Sequence, residues 1–362
     1  MKFFLFFFLT FSQNLLASRF VVEVEKSFEI PTGLKVESLF FSKQKKLSKY
    51  KVISGNISKN ELEKMKGVLS VEAPVELTHL TLRPGKSLLP SIQDELFTYQ
   101  WGLFNQGQIF FKEKDDIHNL PLLGKDGFDV GGREFLESSV EGERKVIVAV
   151  LDSGVDLDHF ELKNNLWKNS QECGKDPNVD NDGNQLKGDC LGWNFTEAID
   201  SEEAKVPFDQ DGHGTHVAGI IASEKNNKGI VGVFPGALIM PIKVLRDSNS
   251  SSEISSSEAF ARGITYAVDQ GAQVINLSLG WPRTLETKFL RDAVLYALSQ
   301  GVVLVAAAGN NNSSEPLYPC AYEGVICVGS TSLNGEVSRF SNFGGHVDTL
   351  APGEGILSLH PT

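Results

Sequence analysis

Short apolar runs and longer amphipathic stretches take turns along the second half of this chain. The runs lie at 146–151, 238–245, 273–279, 302–308 and 325–330, and turn-forming residues follow most of them. Runs of this length without strict alternation read as strands buried on both faces. Between them, apolar positions recur at helical spacing over 213–224, 253–270 and 286–300. Strands separated by helices predict βαβ units, hence an α/β domain built on a doubly wound parallel sheet. In such a sheet, functional groups collect at the carboxyl ends of strands. Asp152, Ser278 to Gly280 and Asn310 all stand at or just past the end of a predicted strand. They are therefore expected on one edge of the sheet.

The first part of the chain differs in character. Residues 19–84 are rich in Lys and Glu with brief apolar alternations, such as Val21, Val22 and Val24, then Tyr50, Val52 and Ile53. Residues 60–77 read as a short helix leading into a strand, so a small α+β domain is expected. Residues 85–93 contain Pro, Gly and Ser and read as a linker, and 109–144 lack periodicity and are expected to wrap the surface. Ahead of all this, Lys2 and the apolar stretch Phe3 to Phe11 read as a signal peptide over residues 1–18, cleaved after Ala17 or Ser18. The stretch is short for a membrane span, so export is preferred over a retained anchor, and no stable membrane insertion is expected after cleavage.

Length, charge and cysteines narrow the picture further. A chain of 362 residues accommodates one large domain and one small one. Its formal net charge of −12 argues against nucleic acid as a partner, because phosphate binding needs clustered Lys and Arg. The acidity reads as a solubility feature. Four cysteines fall into two local pairs, Cys173 with Cys190 and Cys320 with Cys327. Two disulfides in an oxidising compartment, secreted or periplasmic/cell-surface, are the simplest expectation, although four cysteines allow three connectivities.

The candidate chemistry starts from Asp152, a carboxylate at a buried strand end that needs a partner. An imidazole N–H is a suitable one. His213, between Gly212 and Gly214 at the start of a predicted helix, has the character of a general base. His216 is a rival three residues on. The side-chain amide of Asn310 is a donor suited to the oxyanion of acyl transfer.

The segments VIVAVLDSGVD (146–156), DGHGTHVAGI (211–220) and LVAAAGN (304–310) resemble, in order, the Asp, His and oxyanion Asn segments of the subtilisin-like serine proteases. The resemblance implies a subtilisin-like sheet over 94–362 and a serine-type endopeptidase acting on polypeptides, with Asp152, His213 and Asn310 catalytic. In its HGTH pattern the first His is catalytic and the second packs inside. It implies that Ser278, Leu279 and Gly280 pair with an extended peptide, and that Ala307, Ala308 and Gly309 line a roomy first specificity pocket. Residues 94–108 resemble the start of the family's mature domains. Residues 19–84 resemble its propeptide, which acts as an intramolecular inhibitor, with processing near Leu88 to Asp94. The family's Gly-Thr-Ser-Met-Ala segment, which carries the nucleophile, does not occur in residues 1–362. The peptidase domain is therefore expected to be truncated, its sheet short of a covering helix, and the chain as written inactive. The alternative is a catalytically inactive homologue acting as a binding or inhibitory module.

A second signal is the loop NVDNDGNQLKGD (178–189). Asn178, Asp180, Asp182, Asn184 and Asp189 fall at EF-hand-like positions, with Asp in place of the usual final Glu. Calcium, in a structural role, is the expected cofactor. A run of solvated Asx turns is the alternative.

Overall fold

The computed structural model describes residues 18–24, 35–38, 50–55, 64, 68–72, 92–110, 122–138, 145–247 and 256–362. The chain divides into two compact units, Met1–Ser87 and Leu88–Thr362. In the first, β1 (Ser18–Val24), β2 (Lys35–Ser38), β3 (Tyr50–Gly55) and β4 (Val68–Glu72) form an antiparallel sheet in the order β2-β3-β1-β4. Both apolar alternations of this region fall within it, on β1 and β3, with Val21 opposite Val52. The expected helix ahead of β4, most of the linker and nearly all of the signal segment lie outside the described residues.

The second unit begins with a 3-10 turn at Phe97–Tyr99, then a small pair, β5 (Ile109–Phe110) and β6 (Leu122–Leu123), and a short helix, α1 (Gly132–Ser138). Residues 109–144 are thus not purely surface wrapping: Leu136 of α1 is buried with Phe97, Leu103 and Val231 in a small core of its own. The alternating part follows as β7 (Ile147–Asp152), β8 (Trp193–Asn194), α2 (His213–Ala222), β9 (Leu238–Lys243), α3 (Ser256–Asp269), β10 (Val274–Leu277), β11 (Trp281–Pro282), α4 (Lys288–Ser299), β12 (Val303–Ala307), β13 (Leu317–Tyr318), β14 (Ile326–Thr331) and β15 (Thr349–Pro352). Seven of these strands build one sheet, β15-β14-β12-β10-β7-β9-β8, and every pairing in it is parallel. The five strands expected from the apolar runs are its centre. The two edges, β8 and β15, are too short to leave a period in the sequence.

Register assigns each side chain to a face. Ala149, Leu151, Met240, Ile242, Ile275, Leu277, Leu304, Ala306 and Cys327 share one core with Ala259, Phe260 and Ile264 of α3 and Leu290 and Val294 of α4. Each is almost fully buried. On the other face Val148, Val150 and Ile239 pack with Ala218 and Ala222 of α2. That helix comes close because its inward positions are small: a Cβ on Gly214 would stand 1.9 Å from the Gly154 carbonyl oxygen. Beyond β10 the same face is open. Val303 is 44% exposed, Ala307 is exposed, and Val305, Ile326 and Val328 are half-buried. Disulfides join Cys173 to Cys190 and Cys320 to Cys327.

Candidate active site

Asp152 ends β7 with its side chain wholly buried. Its Oδ1 accepts hydrogen bonds from the Ser153 backbone N–H at 2.7 Å and pairs with His213 Nδ1 at 2.7 Å. His213 begins α2, and half of its side chain is exposed, so the imidazole is pinned on one side and reachable on the other. The hydrogen bond to Asp152 raises the His213 pKa above its ordinary value. Burial opposes this, and the negative charges of Asp152, Asp211 and Asp209 reinforce it. His216, by contrast, is turned inward, with Nε2 3.2 Å from the Ile356 carbonyl oxygen. Burial holds its pKa below the ordinary value.

Around this pair the loops are held tightly. Asp209, fully buried, accepts from the Ser153 hydroxyl, the Asp211 and Gly212 backbone N–H groups, and both the backbone and hydroxyl of Thr215. Burial alone would raise its pKa, but these bonds win and hold it low. Gly212 takes φ +99° and Gly154 φ +110°, conformations that favour glycine, where the chain turns on either side of the pair.

Asn310 lies past the end of β12, exposed at the same edge of the sheet. Since β7, β10 and β12 are successive neighbours, their ends lie within about 10 Å of sheet edge. The turn that presents Asn310 depends on a residue the sequence reading missed. Asn342, buried, donates Nδ2 to the Ala308 carbonyl and accepts with Oδ1 from the backbone N–H groups of Asn311 and Ser313. Its own N–H donates to Gly309. Gly309 has φ +107°, and a Cβ there would meet Leu317 at 2.5 Å and Asn342 at 2.6 Å. No local period or spacing marks Asn342 in the sequence.

The expected peptide strip follows β10. Ser278 and Leu279 are half-buried and Gly280 is exposed, while Trp281 continues into β11 opposite Tyr318. On the neighbouring strand Ala307 is exposed, Ala308 buried and Gly309 half-buried. The two segments stand at the ends of adjacent parallel strands, β10 and β12.

The acidic loop is held by hydrogen bonds of its own side chains. Asp180 accepts from the N–H groups of Gly183 and Gln185, Asn178 turns back to Asp176, and Asp189 is buried against Tyr266, Asn184 and Asn169. The carboxylates that converge are Asp180, Asp182 and Glu172, with ligand atoms within 4.8 Å of one another. Glu172 was outside the spacing pattern. A second acidic group was not legible at all: Asp94 and Glu161, both buried, leave Asp94 Oδ2 and both Glu161 oxygens without a hydrogen-bond partner. Burial, with the charges of Asp94 and Glu224 nearby, pushes the Glu161 pKa up to about 7. Orphaned, oxygen-only and buried, this group fits a hard cation.

Residues 143–361 match the subtilase family, Peptidase_S8. A parallel sheet bearing a buried Asp bonded to a half-exposed His thus has a family: the chain belongs to the subtilases. It is 38% identical over 252 residues to the major intracellular serine protease of Bacillus subtilis (strain 168), covering 68% of each chain. It is 46% identical over 172 residues to thermitase of Thermoactinomyces vulgaris, covering 47% of this chain and 58% of that one. Among solved structures, a protease from Pseudoalteromonas arctica PAMC 21717 shares the fold with a TM-score of 0.53 at 24% identity, covering 73% of each chain. The family and these relatives are serine proteases. The relatives include both extracellular and intracellular enzymes, and among the described residues no helix is long and apolar enough to cross a membrane.

Proposed function

We propose that this chain carries the base, the oxyanion donor and the substrate strip of a serine endopeptidase. The observation that carries this reading is the 2.7 Å bond between buried Asp152 and half-exposed His213. Asp152 fixes the imidazole tautomer with the proton on Nδ1, leaving Nε2 free to take a proton from a serine hydroxyl. His213 then returns that proton to the leaving amine. As the carbonyl carbon becomes tetrahedral, the Asn310 amide donates to the oxyanion. Ser278 to Gly280 hold the peptide extended by backbone pairing, with Ala307, Ala308 and Gly309 leaving room for a large side chain.

The hydroxyl in this scheme belongs to a Gly-Thr-Ser-Met-type segment, absent from residues 1–362. The alternative reading is a non-catalytic binding or inhibitory module. A fluorophosphonate probe separates the two. The gene product from its natural source should be labelled, and a His213→Ala form should not. An unlabelled product that nonetheless binds peptides would establish the second reading.

The remaining features extend this proposal. Residues 1–18 direct export, and the two disulfides support an oxidising destination, secreted or periplasmic/cell-surface. Residues 19–84, with their own antiparallel sheet, act as propeptide and intramolecular inhibitor, removed by cleavage in the 85–93 linker. Calcium is structural. Asp94 and Glu161 would hold one ion, and Glu172, Asp180 and Asp182 another.

A further inference from the structure

We propose that Asp209, acting through Ser153, is a positioning residue that holds the Asp152 strand end and the His213 helix start in register. This rests on the reading of Asp152 and His213 as the base pair. The two partners come from segments separated by 61 positions, β7 and α2. Ser153 joins them with every polar group it has. Its N–H donates to Asp152 Oδ1, its hydroxyl accepts from the Gly214 N–H at 2.9 Å and donates to Asp209 Oδ1 at 2.9 Å, and its carbonyl accepts from Lys243 Nζ at 2.6 Å. Gly214 directly follows His213, so the Ser153 hydroxyl touches both chain segments within one residue of each catalytic group.

Asp209 completes the link from the helix side. One of its oxygens takes the Ser153 hydroxyl and the N–H groups of Asp211 and Gly212, the other the Thr215 N–H and hydroxyl. A buried carboxylate with this many donors holds still. Below it, Lys243 also grips the Phe208 carbonyl at 3.1 Å and pairs with Asp247 at 2.7 Å, so the residue before Asp209 is fixed too. A plain helix cap would need only the bonds to Thr215 and Gly212. The additional bond to Ser153, beside the catalytic Asp, is what a positioning role requires.

The test is the titration of the His213 imidazole in the full chain, followed by nitrogen NMR together with the low-field Nδ1 proton. Asp152, Asp209 and Asp211 face this ring, with His216 on the same helix and His360 against Gly212. Asp209→Asn removes a charge and one of the two acceptor oxygens that hold the link, because the amide NH2 cannot accept. Ser153→Ala removes the link and leaves the charges untouched. Both should lower the His213 midpoint, by about 0.5–1 pH unit, and weaken the low-field proton. The double variant should fall no further than the larger single one. Asn165→Ala, which frees the far end of α2 from its bonds to Ala222 and Pro235, should lower stability and leave the midpoint where it was. A wild-type chain with neither raised midpoint nor low-field proton would overturn the base pair itself. A normal wild type with an unshifted Ser153→Ala variant would overturn the positioning role alone.

Discussion

The α2 side of the parallel sheet has two halves that differ more than its two faces do. Over β7 and β9 it is sealed: Val150 and Ile239 are fully buried. Over β12 and β14 it is open, with Val303 44% exposed, although the opposite face of the same strands is as dry as a core gets. The Asp152–His213 pair belongs to the sealed half, where α2 lies against β7. Asn310 and the wall of the expected specificity pocket belong to the open half. The Asp152–His213 pair is thus packed on its side of the sheet, while Asn310 and the proposed pocket wall rest on strands covered on one side only.

The sharpest way to break this contrast is at its sealed end. Asp152→Asn keeps the shape and removes the tautomer control, and any peptidase activity of the gene product should fall about 10⁴-fold. A smaller loss would mean that His213 does not depend on its partner. Next comes the open half: Asn310→Ala should lower turnover about 10²–10³-fold with little change in KM, a range established on subtilisin itself. A change confined to KM would make Asn310 a binding residue.

How far these sites were legible follows from the distance over which each is assembled. The five central strands and three helices were readable because apolar runs and helical periods are local, and the structure shifts their ends by only a few residues. Asp152, His213 and Asn310 could be proposed from the sequence because each sits in a compact motif. Asn342 could not, since it serves a turn 29 to 34 positions away through side-chain bonds that leave no period. Asp94 and Glu161 were invisible for the same reason: the Leu96 N–H bonds to the Gly229 carbonyl, bringing the start of the unit beside Glu161 only once folded. In the acidic loop Asp189 bonds to Tyr266, while Glu172, outside the spacing pattern, comes beside Asp180 and Asp182 only in the fold.

Two smaller effects sharpen the comparison. If buried Asp94 and Glu161 hold calcium, chelation should lower the stability of the folded chain by about 2.7 kcal/mol relative to calcium at a hundredfold excess over its Kd. Thermal unfolding with and without chelator reads this directly, and an unchanged midpoint would remove the cation from the account. Matched substitutions then probe the two halves. Ile239→Val in the sealed half should cost about 0.5–1.5 kcal/mol. Ile326→Val in the open half should cost less than about 0.5 kcal/mol, as at a surface position. Denaturant midpoints that shift equally would mean that β14 is covered in solution.

The central claim is that His213 is a base prepared by Asp152, and the titration of wild-type His213 against Asp152→Asn tests it most directly. The bond to Asp152 raises the folded-state pKa, so its contribution to stability is complete below the ordinary histidine value of about 6.5 and disappears as pH rises through the raised one. Proton abstraction needs the neutral ring and should grow over that same interval. The wild-type midpoint should lie above about 6.5 and drop in Asp152→Asn. A wild-type midpoint at or below that value, unmoved by the substitution, would contradict it.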